Sequence, residues 1–344
     1  MKIGFFFWPF SVELTETMAR HADTYGYDMI GIADTPGNAM DPWVAATLVA
    51  RITKTADISI CVSNFITRLP AVSAAAIASL DLLAPGRAVL GVGAGHSGTK
   101  NIGAGKSTAG EMAEQITLTR KLLRGEPVTT GDATAHMPWV KHPAKVFMAS
   151  SHPLGLKAAG RTADGVFINY GIQPEHVAQS EQLVAEGLQA AGRPPGDAEI
   201  WQIAAMDCTP GGDDARRQIG AILAFVSGYI IGGKDPVTRG VPPELREPML
   251  ELMRGYSTRP GAQNIQLVND LGLTDYLSRR FAVCGTPDEC FQQATAAKAA
   301  GVQRLMFTVS VAVDPAEAVR RFGEDVLPRL RKLDRPPSGH IVSA

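Results

Sequence analysis

Three short segments of the sequence carry groups that could take part in chemistry. His96 follows Gly93-Ala94-Gly95 at the end of an apolar run, Ala88–Val92. An imidazole titrates near pH 6.5, so His96 could serve as a general acid near neutrality or simply hydrogen-bond a ligand or a loop carbonyl. Glycines beside it let backbone approach a flat molecule without a side-chain clash. Asp34 and Thr35 close a second apolar run, Asp28–Ala33. Asp34 can position a ring atom or brace the next helix, whereas Thr35 is a poor base at neutral pH. Ser150-Ser151-His152-Pro153 closes a third run. A proline at the first helical turn needs no donor there. The free amides and dipole of such a helix start suit a phosphate, and an ordinary serine cap is the alternative.

Other patterns imitate known sites. Gly93-x-Gly95-x-x-Gly98 matches a dinucleotide fingerprint but runs into a Gly/Lys/Ser/Thr loop instead of opening a helix directly. Gly105-Lys-Ser-Thr108 ends like a phosphate-binding loop, yet Lys100 stands where its first glycine is required. Cys61, Cys208, Cys284 and Cys290 form no CxxC pair and have no histidine at metal spacing, so they read as free thiols of a reducing cytoplasm, with no metal site.

The elements that must position these groups alternate regularly. Apolar runs at Lys2–Trp8, Asp28–Ala33, Ile58–Val62, Ala88–Val92, Lys145–Ala149, Gly165–Ile168, Ile200–Ala205 and Arg304–Val309 are each followed by helical pattern. Continuous apolar strands between helices indicate a parallel sheet covered on both faces. Eight such units favour a closed α/β architecture, the (β/α)8 TIM barrel, in which residues just past each strand share one mouth. Two stretches break the repeat: a hairpin near 126–139 and an insertion near 234–280 rich in Pro and Gly. Thr286-Pro-Asp-Glu289 is a capping box that starts a helix. The reading is one barrel over 1–334 with a loose C-terminal tail, 335–344.

Composition narrows the function. At 344 residues with 45% hydrophobic and 19% charged residues, the chain can bury a large core without staples. A net charge of −1 gives no footprint for nucleic acid. The longest apolar stretch, Ile219–Gly233, is too short for a membrane span and reads as a buried or subunit-contacting helix, so no membrane partner and a homodimer are expected. No targeting segment is evident, which points to the cytoplasm.

Placed at one barrel mouth, three segments together resemble the luciferase-like superfamily, and within it the branch that uses the deazaflavin coenzyme F420, of the methylenetetrahydromethanopterin reductase type. They are Cys61-Val-Ser-Asn-Phe-Ile-Thr-Arg68, Ser79–Arg87 running into Ala88–His96, and Val146–Pro153 with the helix after it. The likeness spans Lys2 to about Leu333 and is weakest in the insertion. It implies a non-prolyl cis peptide between Cys61 and Val62 behind the cofactor ring, with Ser63 and Asn64 donating to the ring edge. Ala94, Gly95 and His96 would line the ring and ribityl side. Ala149, Ser150, Ser151 and His152 would hold the phosphate, a location that rests on the resemblance alone because barrels generally place phosphates after strands seven and eight. Asp81 and Arg87 read as fixing the turn before the fourth strand.

The sequence departs from these relatives at two points. Many carry a carboxylate where His96 stands, and several alcohol-oxidising members carry an Asp-His pair where Asp34-Thr35 stands. The second departure argues for reduction over alcohol oxidation. Trp8, Thr35, Trp43, Trp139 and Tyr170 are candidates for the substrate side, each equally readable as core packing. The resemblance implies hydride transfer between reduced F420 and a C=C, C=N or C=O bond of a small organic substrate, with Asp34 and His96 as the catalytic candidates. The alternative is a monooxygenase using reduced FMN and oxygen, fed by a separate reductase. A third is a flavin-binding barrel without catalysis.

Overall fold

The computed structural model describes residues 1–231, 235–257, 261–309 and 314–334, and only the backbone of residues 229–231. The tail expected over 335–344 lies outside the described residues. The first half of the chain alternates β1 (Lys2–Phe7), α1 (Val12–Tyr25), β2 (Met29–Ile32), α2 (Pro42–Ile52), β3 (Asp57–Ser63), α3 (Pro70–Leu83) and β4 (Ala88–Val92). A four-residue turn of helix, α4 (Ser97–Lys100), precedes α5 (Ala109–Leu123) and the hairpin β5 (Val128–Thr130) and β6 (Ala133–Ala135). Then come β7 (Lys145–Ser150), α6 (Pro153–Thr162), β8 (Gly165–Ile168), α7 (Pro174–Ala190) and β9 (Glu199–Cys208). Between β9 and the next strand lie α8 (Gly212–Gln218), α9 (Gly220–Ile231), α10 (Arg246–Gly255), α11 (Ala262–Asp270) and α12 (Thr274–Phe281), so the insertion expected from 234 joins two helices that precede it. The chain finishes with β10 (Ala282–Gly285), α13 (Pro287–Ala299), β11 (Arg304–Thr308), α14 (Pro315–Arg321) and α15 (Leu327–Lys332).

Eight parallel strands close on themselves in the order β1-β2-β3-β4-β7-β8-β9-β11, with β1 paired to both β2 and β11. Every residue of β2, β4 and β8 is buried, as expected where helices cover one face of a parallel sheet and barrel packing fills the other. The barrel interior is plugged by Met29, Val89, Phe147, Phe167, Trp201 and Met306. Glycines make room for the largest of these. A Cβ on Gly165 would sit 2.4 Å from the Phe147 ring, and one on Gly31 would sit 2.7 Å from the Met306 methyl.

Two expectations need correction. The sequence reading ended the insertion at Arg280 and saw no strand at Ala282–Gly285. This four-residue run is too short to show a period, and it pairs along the last residues of β9, Ala282 opposite Ala205 and Gly285 opposite Cys208. The apolar segment from Ile219 also finds its cover inside the chain. Ile219, Ile222, Leu223 and Ala224 are buried in a second core with Met249, Leu252, Val268, Leu277 and the barrel residues Trp8 and Ala33. The helix therefore no longer argues for a second copy of the chain.

One buried cation fastens this insertion. Arg280 is 1% exposed and donates to the carbonyls of Tyr170 and Arg239 and to the Tyr276 hydroxyl, tying the loop after β8 to the inserted helices. No carboxylate is bonded to it among the described residues, so carbonyl dipoles and the nearby Phe281 ring carry the whole compensation. No helix among the described residues is long and apolar enough to cross a membrane.

Candidate active site

The strand ends surround an open cavity. Its lining comes from β1, β2, β3, β4, β7, β8, β9, β11 and α9. Gly93 lines this cavity, and Gly91 is packed in the barrel below it. A Cβ on Gly91 would lie 2.4 Å from the Ile60 carbonyl oxygen, and one on Gly93 would lie 3.0 Å from Val62. The Cys61–Val62 peptide is cis, at the point where β3 slips register against β4 between Ile60 and Ser63. Cys61, Val62, Ser63, Asn64, Ala94, Gly95, Ala149 and Ser150 all line the cavity.

The acid at this mouth is Asp34. It is 8% exposed and accepts a 2.6 Å hydrogen bond from the Ser63 hydroxyl. Burial raises its pKa above the usual carboxylate range, and the Ser63 bond opposes this in part. Beside it the Trp8 indole donates to Thr35 Oγ1 at 2.9 Å, so two of the substrate-side candidates satisfy each other. The Asn64 side-chain oxygen is occupied by its own turn, accepting from the amides of Ile66 and Thr67. Its amide nitrogen lies near Gly98, where a Cβ would come within 2.8 Å of the Asp34 carbonyl oxygen. Gly98 thus lets α4 close down on Asp34. The fingerprint-like glycines serve this packing, and the helix they lead into is only four residues long.

His96 stands between α9 and the insertion's far end. Its ring meets Phe225 edge-on at 5.3 Å, and Nε2 is 3.5 Å from the Tyr256 hydroxyl. Burial, reinforced by the charges of Lys100 and Lys106, pushes its pKa down to about 4. This corrects the expectation of an imidazole titrating near pH 6.5. At neutral pH His96 is uncharged, and its strength is in orienting through hydrogen bonds.

A second compartment opens behind Ala94, Gly95, His96, Ala149 and Ser150, which both cavities share. It adds Lys106, Ser107, His152, Gly155 and Tyr256 to its walls. No carboxylate lines it among the described residues. Burial, Arg239 and Lys106 together depress His152, which places two cations within electrostatic reach of this space. The helix start here is not serine-capped. His152 is the N-cap of α6 and gives the helix no side-chain bond, while Ser150 Oγ accepts the His152 amide at 3.2 Å. The Ser151 hydroxyl is fully buried and has no hydrogen-bond partner among the described residues.

The sequence candidates therefore divide. Trp8, Asp34, Thr35 and the segments around Ser63, His96 and Ser150 converge on the two compartments, with His152 in the second. Ser151, expected at the phosphate, is wholly buried and lines neither, and Trp43, Trp139 and Tyr170 line neither. Trp43 lies on α2 beneath the Arg68 guanidinium, Trp139 is 42% exposed beyond the hairpin, and Tyr170 is buried against His176 and Arg280. Lining residues that sequence reasoning passed over are Phe6, Asn169, Thr308, Ile222, Phe225, Val226 and Tyr256. Asn169 directly follows β8 and Thr308 ends β11, so the strand-end rule applied to every strand would have named both. Nothing local marked Phe225 or Tyr256, which reach the mouth only through the packing of the insertion.

Comparison with known proteins agrees with this architecture. The family model of luciferase-like monooxygenases matches residues 10–304. A 5,10-methylenetetrahydromethanopterin reductase of Methanolobus tindarius is 27% identical over 319 residues, covering 90% of this chain and 94% of that protein. An F420-dependent glucose-6-phosphate dehydrogenase of Beutenbergia cavernae is 30% identical over 288 residues, covering 78% and 76%. The solved coenzyme F420 dependent tetrahydromethanopterin reductase of Methanopyrus kandleri superposes with a TM-score of 0.77 at 21% identity, covering 96% of this chain and 99% of that one. With that match across most of its length, the chain belongs to the luciferase-like monooxygenase family.

Proposed function

We propose that this chain is an F420-dependent oxidoreductase that reduces a C=C, C=N or C=O bond of a small organic molecule. The observation that carries this reading is the pairing of a glycine-lined cavity with an adjoining cationic, carboxylate-free compartment. A flat tricyclic ring fits the first, which Gly93, Ala94, Gly95 and Gly98 line with small residues at the strand end. A long anionic tail fits the second, which Lys106 and the start of α6 at His152, Leu154 and Gly155 line. FMN, with a single phosphate, would leave much of that compartment unused. The relatives named for F420 dependence support the same choice.

When bound, the deazaflavin supplies a hydride, and that chemistry is its own. The chain's residues hold and order the site. Asp34, raised by burial and held by Ser63, is the group at the mouth suited to store and return a proton. His96, neutral, orients what lies against it, and Tyr256 steers His96 through Nε2. Phe225 and Val226 keep water from the roof.

Equilibrium titration tests the proposal. F420 should bind at least tenfold tighter than FMN, and Lys106→Glu should erase most of that advantage. A preference for FMN, with stoichiometric oxygen consumption during turnover, would overturn the reading in favour of a two-component monooxygenase.

A further inference from the structure

The main cavity has a polar floor and an apolar roof, and its charges are distributed unevenly. Ile222, Phe225 and Val226 of α9 form the roof above the strand ends. Among the described residues that line this cavity there is no lysine and no arginine. The nearest cation-bearing wall, with Lys106, belongs to the adjoining compartment. Several polar groups on the floor are engaged with one another or with nearby backbone, Ser63 with Asp34, Trp8 with Thr35, and the Asn64 oxygen with its own turn. A molecule entering between floor and roof therefore meets apolar surface and few open donors. An ionised group taken into such a space loses its hydration, and an anion forms no ion pair with the described lining side chains, feeling Lys100, Lys106 and Arg68 only at a distance.

We propose that the substrate of this site is an uncharged, predominantly apolar molecule bearing one reducible carbonyl, imine or activated alkene, and that carboxylates and phosphate esters are excluded. This rests on the reading above, because the cationic compartment is then filled by the cofactor's own anionic tail. In the reaction the substrate's electrophilic carbon accepts a hydride, its π bond breaks, and the freed electron pair takes a proton through Asp34 or water. The deazaflavin leaves in its oxidised form, so two electrons and two hydrogens balance. Asp34 also disfavours anions by its own charge whenever it is ionised.

The test uses the full-length protein in two stages. Fluorescence titration with F420 comes first, and absence of binding there would overturn the cofactor reading and with it the substrate class that rests on it. On the F420-loaded protein, a panel of cyclic enones, ketones and imines is then compared with matched analogues carrying a carboxylate, a phosphate or an ammonium group. Binding is followed by ligand-observed NMR, and turnover by loss of the reduced-cofactor absorbance. Neutral members should bind, and each anionic analogue should bind at least about a hundredfold more weakly than its neutral parent. A panel in which anionic or cationic members bind as well as their parents, or in which no neutral member binds, overturns the proposal. Val226→Lys, which places a cation in the roof, should gain at least about tenfold in carboxylate affinity. If that variant fails to fold, the wild-type comparison still decides.

Discussion

The protonation of His96 offers the sharpest check on the electrostatics of the site. In the folded protein, burial and the neighbouring Lys100 and Lys106 bring its pKa down from 6.5 to about 4. Phe225 from α9 and the Tyr256 phenol at the end of α10 also face the ring, and both are uncharged. An unfolded chain takes up a proton near 6.5, so the folded state binds fewer protons between the two values. Stability linked to His96 is therefore intact above pH 6.5 and is lost as pH falls towards 4. At about 1.4 kcal/mol per pH unit, roughly 2.5 kcal/mol would be gone by pH 4.5. The ring keeps partial contact with solvent, which discounts this to about 1–2 kcal/mol. For a chain of this size that is a fall in Tm of about 2 °C. His96→Gln cannot titrate, so its Tm should drop about 2 °C less than wild type between pH 7 and pH 4.5. His176, also lowered to about 4, contributes equally to both proteins and cancels. A His96 ring-proton midpoint near 6.5 by NMR, or identical acid losses in the two proteins, would refute the electrostatic account.

Other expectations follow from contacts already described. Gly91→Ala drives a methyl into the Ile60 carbonyl 2.4 Å away, and thermal unfolding should show a loss of about 2–4 kcal/mol together with weakened ring binding. Arg280→Ala leaves the buried carbonyls of Tyr170 and Arg239 without their donor, and should cost about 3 kcal/mol by denaturant titration and expose the insertion to limited proteolysis. Thr35→Val strands the Trp8 indole N–H, with an expected loss of about 1–2 kcal/mol, and equal stability would show that water replaces the hydroxyl. Gly228→Ala would place a Cβ 2.5 Å from the Tyr256 ring, and should displace that phenol from His96, visible as a changed His96 chemical shift.

Much of the fold could be read from sequence because each barrel unit states itself locally. A buried strand of four to seven apolar residues, followed by a helix with its own start signal, needs no tertiary information to be seen. Thr286 shows this well, since its reciprocal bonds with Glu289 form as the residue types predict. The site was legible wherever the strand-end rule applied, as at Asp34, Ser63 and His96. It failed for Trp43 and Tyr170, because aromatic type alone does not say which side of a helix or loop faces the mouth. The insertion was illegible for a different reason. Ile222, Phe225 and Tyr256 reach the cavity through contacts between segments far apart in sequence, and an all-round apolar helix carries no mark of which neighbour will cover it. The charge state of His96 was misjudged because it depends on two lysines and on burial that no local pattern reports.

The ten-residue strand β9 has a mechanical role beyond its share of the barrel wall. Its first residues hold β8, its middle holds β11, and its last residues hold β10 at the base of the inserted helices. A single rod thus spans both the seam that shuts the cylinder and the footing of the lid-like superstructure above it. Fraying at Ala205 would slacken seam and footing in one event, so hydrogen exchange in the two should rise together. Lineages are then free to lengthen or shorten the helices between α8 and α12 so long as that rod keeps its grip on three neighbours.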